Sequence, residues 1–338
     1  MKEVLLYKKL KEGKVQCQNC AHYCLILPKK RGFCGVRENQ NGKLFALNYN
    51  KTAALNIDPI EKKPFFHFLP GSHSLSFAAP GCNFRCKNCH NWTISQSPVL
   101  DNEILGKEIS PQEIVRAAIK KNLPSISYTY SEPAVFSEYA FEVMRIAKKK
   151  KIKNAWVSNG FWSKELFDLI SPYLDAANID LKGFSDDFYI KNCSGRLKPV
   201  LETLRRIKKK KIWLEITTLL IPGLNDSKKT LKDMARFIKK ELSPEIPWHI
   251  SRFCPEISWQ LKETPETKIS DLEKAYNIGK EAGLKYVYTG NVLGLALEDT
   301  FCPKCNALAI KRIGYEIKRH DKNGKCPKCK QDLNLILK

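Results

Sequence analysis

The chain has 338 residues, 43% of them hydrophobic and 28% charged, with 58 lysines and arginines against 35 acids for a formal net charge of +23. That composition excludes a disordered chain, and no apolar run approaches membrane-spanning length. The sequence reads as a cytoplasmic globular protein with no membrane partner, large enough for one barrel-sized domain and small appendages. Its opening, MKEVLLYKKLKEGK, lacks the apolar core of a signal peptide. Thirteen cysteines in such a chain point to metal or redox chemistry rather than disulfides.

Residues 1–72 form a cysteine-rich segment with Cys17, Cys20, Cys24 and Cys34. Four cysteines this close together should bind metal. Zinc, closing a structural site, is the first choice, and an additional [4Fe-4S] cluster acting as an electron relay is the second. From residue 74, apolar β-rich runs alternate with amphipathic helical stretches: SLSFAA (74–79), SISYTY (125–130), NAWVSN (154–159), AANIDLK (176–182), IWLEITTLL (212–220), PWHISRF (247–253) and KYVYTG (285–290). Ser110, Pro111 and Glu113 spell a capping box for one of the intervening helices. Repeated alternation of this kind predicts a full or partial (β/α) barrel over residues 73–298. Residues 299–338 carry CPKC twice, at 302–305 and 326–329, which is the spacing of a zinc ribbon on Cys302, Cys305, Cys326 and Cys329.

Polar residues gather at the predicted strand ends, the functional face of such barrels. Cys82, Cys86 and Cys89 follow the first strand, Ser131-Glu132-Pro133 the second and Ser158-Asn159-Gly160 the third. Asp180 and Lys182 end the fourth, Glu215 and Thr217 lie on the fifth, and His249 and Arg252 lie on the sixth. Three cysteines spaced C-x3-C-x2-C without a local fourth suggest a [4Fe-4S] cluster with one iron left open. A zinc knuckle completed by the adjacent His90 would have poor tetrahedral geometry. Cys193 and Cys254 read as small core or loop residues, although a thiol at Cys254 could reach the barrel mouth and supply a hydrogen atom.

These motifs resemble the radical S-adenosylmethionine (SAM) superfamily, in which SAM chelates the open iron and is cleaved reductively to methionine and a 5′-deoxyadenosyl radical. The resemblance implies that Glu132 accepts from the SAM amino group, with Tyr130 and Ser131 standing where the family has two glycines. It implies that Ser158 and Asn159 face SAM. Asp180 and Lys182 in IDLKG resemble the Asp-x-Lys of glycyl-radical activating enzymes such as those of pyruvate formate-lyase, the lysine meeting the SAM carboxylate. LLIPGLND (219–226) resembles a segment of the same branch near adenine, while Asn88 stands where an aromatic residue is usual. His249 and Arg252 are candidates for substrate or SAM contacts. IDPIEKKPFFHFLPGS, CHNWTISQ, YTYSEP, WHISRF and YVYTGNV together resemble the radical SAM component of the AmmeMemoRadiSam system. The implied partners are an electron donor such as ferredoxin or flavodoxin, proteins of that system, and a substrate that is a protein glycine, an RNA or a small molecule. The basic charge fits a polyanion partner, or lysine runs at helix C-termini where they favour the dipole. The rival from another class is a non-enzymatic metal-binding protein that contacts nucleic acid.

Overall fold

The computed structural model describes residues 1–292 and 296–338. Its centre is a sheet of eight strands: β1 (Ala54–Pro59), β2 (His73–Ala78), β3 (Ser125–Tyr128), β4 (Lys153–Ser158), β5 (Ala176–Asp180), β6 (Trp213–Leu220), β7 (Trp248–Arg252) and β8 (Val287–Gly290). They lie side by side in chain order. β2 to β8 are parallel, and β1 joins β2 antiparallel as an edge strand. The sequence reading missed β1, most of whose side chains are at least partly exposed, and it drew the domain boundary on the far side of it.

Among the described residues the longer helices of the crossovers are α1 (Trp92–Leu100), α2 (Pro111–Lys120), α3 (Ser137–Lys149), α4 (Lys164–Ile170), α5 (Leu197–Lys209), α6 (Lys228–Phe237) and α7 (Ile269–Glu281). The capping box on α2 forms as its spacing predicts, and the hydroxyls of Ser163 and Ser227 cap α4 and α6 by accepting from the N–H groups of Leu166 and Thr230. Lys148 and Lys149 lie in the last turn of α3, and Lys208 and Lys209 in the last turn of α5. Those two basic runs are accounted for by the helix dipole. Alternate strand residues, among them Phe77, Tyr128, Trp156, Ile179 and Ile250, pack under the helices in one continuous core.

The other face of the sheet curls around residues 60–71. Asn178, Glu215, His249 and Tyr288, from four successive strands, all reach this segment. Ile60, Phe65, Phe68 and Leu69 supply its apolar part, against Ala155, Ala176 and the C-terminal Ile336. β1 and β8 do not pair with each other, so the architecture is a partial barrel.

The N-terminal segment adds two small three-stranded antiparallel sheets. It is fastened to α3 by a buried ion pair between Arg37 and Glu138, 2.5 Å apart. At the other end, β9 (Thr300–Phe301), β10 (Leu308–Ile313) and β11 (Glu316–Arg319) make the ribbon. The ribbon is docked on the barrel rather than hanging from it. Arg312 is buried and donates to the carbonyls of Phe66 and Glu298, and Ile336 exchanges backbone hydrogen bonds with His67 and Leu69. Among the described residues, no helix is long and apolar enough to cross a membrane.

Candidate active site

The chain leaves β2 through Ala79, Pro80 and Gly81 into the three-cysteine loop, which is held from three sides. The Gly81 N–H donates to the Ile94 carbonyl in α1. Arg85 and Lys87 donate to the carbonyls of Cys193 and Asn192, and Trp259 and Gln260 donate to those of Cys89 and Lys87. The Cys82 sulfur accepts from the Phe84 N–H at 3.3 Å, and the Cys89 sulfur lies 3.5 Å from the Ser95 hydroxyl. Burial pushes the Cys82 thiol well above its ordinary range, and Cys86 is raised first by its contact with Cys193. Cys193, remote in sequence, is therefore a neighbour of this loop. The turn after β5 brings it there, and no local pattern announces that return.

The donor set fits an iron–sulfur cube. Soft thiolates suit iron, and N–H groups directed at sulfur are a usual means of tuning such clusters. The three sulfurs do not all fall within 4.8 Å of one another, a spacing that among the described residues belongs to the ribbon cysteines. A single zinc ion would draw its thiolates to about 3.8 Å apart, given zinc–sulfur bonds of about 2.3 Å. A cube bound at its corners needs them wider.

At the end of β3 the backbone of Tyr130 takes φ +65°, the left-handed region that favours glycine. Its ring is tied down by a hydroxyl hydrogen bond to Asp58 and by Lys63, 4.1 Å from the ring centre. Glu132 follows, 3% exposed. One carboxylate oxygen accepts from the Ala134 N–H at 3.0 Å and the Ser158 hydroxyl at 2.7 Å, and the other accepts from the Asn159 N–H at 2.9 Å. Burial raises its carboxyl above the usual range despite these donors. Asn159 in turn donates to the Asn83 side chain at 2.7 Å, beside Cys82. Gly160 turns the chain at φ +70°, where a Cβ would stand 2.7 Å from Ile179. Glu132, Ser158 and Asn159 thus form one buried unit behind the cysteine loop.

Lys182 and Asp180 pair at 2.7 Å. Burial works against the Lys182 charge, but Asp180, Cys86 and Cys193 outweigh it and hold the ammonium well above its ordinary pKa. The imidazole of His90 is kept below the usual histidine range, first by burial in its surroundings and then by the charge of Lys182.

Register puts Asp180, Thr217, His249 and Tyr288 in one row across β5 to β8. Glu215 is one step deeper, not at the mouth. Its carboxylate accepts from the backbone N–H groups of Phe66, His67 and Phe68, from Trp213 Nε1 and from His249 Nε2. Burial opposes its ionisation, yet the His249 contact leads the effects that hold its carboxyl below the usual range. His249 joins this clamp on one side and on the other lines a cavity of about 500 Å³ with Glu61, Ser251, Thr289, Gly314 and Tyr315. The last two come from the β10–β11 turn, so the ribbon walls the cavity. Arg252 ends β7, paired with Glu266 at 2.6 Å and donating to the Thr267 carbonyl, and is not among the residues lining the cavity. Cys254 does not line it either; its thiol donates to Glu256, which is the main reason its pKa is raised.

Cys302, Cys305, Cys326 and Cys329 all lie within 4.8 Å of one another, two of the sulfur pairs at 3.5 Å. This is a compact four-thiol site of the kind zinc takes. Cys17, Cys20, Cys24 and Cys34 line one cavity of their own beside the cysteine loop.

The model of the radical SAM superfamily matches residues 77–238. The chain is 44% identical, over the whole of both chains, to the uncharacterized protein MJ0808 of Methanocaldococcus jannaschii. It is 24% identical to a pyruvate formate-lyase-activating enzyme of Clostridium pasteurianum over 53% of this chain and 76% of that one. A radical SAM methyltransferase from Sphaerobacter thermophilus has a solved structure with a TM-score of 0.49 and 14% identity, covering 70% of each chain. With three cysteines in an open loop at the end of the first parallel strand and a matching family model over that loop and strands β3 to β6, the chain belongs to the radical SAM superfamily.

Proposed function

We propose that this radical SAM enzyme removes a hydrogen atom from a small organic substrate held in the cavity at the ends of β7 and β8. The observation that carries the reading is the cavity itself, of about 500 Å³ and within the range of small-molecule sites. It opens beside the row containing Asp180 and His249 and is closed by the ribbon turn. Membership of the superfamily implies SAM and a [4Fe-4S] cluster; on Cys82, Cys86 and Cys89 the cluster would supply the electron that cleaves SAM to methionine and a 5′-deoxyadenosyl radical.

The protein's part is binding, orientation and exclusion of water. The Lys182 ammonium, kept charged by Asp180, is suited to the SAM carboxylate. Glu132 spends its carboxylate on Ala134, Ser158 and Asn159 and so positions the turn behind the cysteines, in addition to any contact with the SAM amino group. The Glu215–His249 pair fixes the cavity floor. Compact four-thiol geometry supports zinc in the ribbon, where it would hold the wall formed by Gly314 and Tyr315.

A second reading is activation of a partner protein through a glycyl radical. It is supported by the names of relatives 24–25% identical and by Asp180 and Lys182 in IDLKG. The segments around residues 57–72 and 286–292 support the narrower assignment to the AmmeMemoRadiSam component under either reading. The test is anaerobic incubation with SAM, dithionite and extract from cells grown in heavy water, divided by size. Deuterium entering 5′-deoxyadenosine with the small-molecule fraction is the expected result. Deuterium only with the macromolecular fraction would overturn the small-substrate reading, and nuclease or protease treatment would then separate RNA from protein.

A further inference from the structure

We infer that Cys17, Cys20, Cys24 and Cys34 hold a second iron–sulfur cluster, which delivers electrons one at a time to the catalytic site. The delivery half of this inference rests on the radical SAM reading; the site itself does not.

The first observation is spacing. All four cysteines line one cavity, yet no three of their sulfurs come within 4.8 Å of one another. The same chain contains a standard for each alternative. The ribbon cysteines are drawn together as four thiolates around zinc must be, at about 3.8 Å. Cys82, Cys86 and Cys89, which suit a cube, likewise do not all fall within 4.8 Å of one another. Zinc, the first choice from the sequence, would require the N-terminal set to contract to about 3.8 Å, whereas a cube bound at its corners holds its thiolates wider apart.

The second observation is an unpartnered donor. Arg37 lines the cavity at 1% exposure, and its Nε has no hydrogen-bond partner. Its other nitrogens are used, donating to Glu138 and Ser137. A buried N–H left unsatisfied loses its bond to water and gains none in return. An anionic cluster with sulfur acceptors would satisfy it, and hydrogen bonds to sulfur are a recognised lever on cluster potential.

The third observation is adjacency. His22, between Cys20 and Cys24, also lines the cavity, and its Nε2 lies 2.7 Å from the carbonyl of Asn83. Asn83 lines the cavity too and directly follows Cys82. One residue and one hydrogen bond therefore separate the two cysteine sets. In the relay one electron leaves the N-terminal cluster, oxidising it, and enters the catalytic cluster, reducing it. A low-potential one-electron donor protein of the ferredoxin or flavodoxin class restores the first, and no atom or proton is transferred.

The test uses the full chain, reconstituted anaerobically with iron and sulfide and then desalted. With Cys82, Cys86 and Cys89 all replaced by alanine, the protein should keep about half its iron as a cluster. That cluster's electron paramagnetic resonance signal after dithionite should not respond to SAM. The Cys17→Ser, Cys34→Ser double variant should also lose about half the iron, with zinc unchanged. It should still cleave SAM with dithionite, but about tenfold or more slowly when the donor protein is the sole reductant. A colourless triple variant overturns the site, as does a double variant that loses zinc instead of iron or loses no metal. Equal rates with the donor protein overturn the relay. If the double variant does not fold, the triple variant still decides the site. Failure of the radical SAM reading would appear separately, as wild-type protein with no SAM-responsive signal.

Discussion

Glu132 offers the sharpest test of how the active site is built. Its carboxylate receives three donors, two of them backbone N–H groups that cannot turn away. In Glu132→Gln the new amide nitrogen must occupy one of the two oxygen positions. Opposite the Asn159 N–H it sets donor against donor at 2.9 Å. In the other orientation the Ser158 hydroxyl can rotate to accept, but the Ala134 N–H is orphaned instead. Either way one buried N–H loses its partner, a cost of about 1–3 kcal/mol, and the remaining bonds lose their charge assistance. Relief from burying a charge offsets part of this, leaving a destabilisation of about 2 kcal/mol. The Ser158–Asn159 turn should loosen with it, and through Asn159 and Asn83 so should the support of Cys82. Denaturant unfolding of the cluster-loaded protein, with SAM titration followed by electron paramagnetic resonance, measures both effects. If Glu132→Gln unfolds at the wild-type midpoint while SAM affinity collapses, the positioning argument is wrong and direct contact with SAM is the whole of its role.

Cys193→Ser should keep both iron content and SAM cleavage, because Cys193 is a neighbour of Cys86 and not its equivalent; loss of the cluster would make it a ligand. Lys182→Ala should weaken SAM binding by about 1–3 kcal/mol without changing iron content, whereas Lys191→Ala, which removes an exposed charge paired only with Asp187, should bind SAM as wild type does. Burial, above all, holds His67 down at about 4. The unfolded chain, with an ordinary histidine near 6.5, therefore binds a proton that the folded chain refuses between those values. Stability should fall as pH drops through that window, by about 3 kcal/mol in all, and unfolding curves of His67→Gln should lose most of that slope. Truncation before Phe301 removes the partners of Phe66, His67 and Leu69 and should lower the denaturation midpoint of the remaining barrel; an unchanged midpoint would mean that the ribbon docks without contributing to stability.

The strand–helix alternation from residue 74 and the three cysteine groups were legible because each is a local pattern, read from period and spacing. Glu215 shows where that kind of reading stops. On β6 it alternates with buried apolar residues as a mouth residue would, and only the folded chain reveals that residues 66–68 lie beneath it with three N–H groups that donate to its carboxylate. The same holds for Cys193 and for the ribbon. Arg312 lies 246 positions from the Phe66 carbonyl it bonds, and nothing in the local sequence of either end encodes the meeting. Buried polar clamps between distant segments are set by the three-dimensional path, so a single sequence shows their residues without their partners.

Tyr130 joins these two kinds of information. The sequence displays a tyrosine where a glycine is usual, and the structure gives the backbone there the conformation a glycine would take, at φ +65°. A residue with a Cβ pays about 1–2 kcal/mol for that conformation, so something must hold it. Those on its side chain come from residues 56–63: Asn56 and Asp58 bond the hydroxyl, and Lys63 lies over the ring, while Asn91 donates to its carbonyl. Asp58 is kept ionised by Lys62 and Lys63. β1 and the segment after it therefore belong to the framework of the candidate site, although they precede the three-cysteine loop and fall outside the alternating pattern. Tyr130 at this turn and the edge strand are one structural solution, in which the strand and the segment after it supply the side-chain contacts that the turn requires.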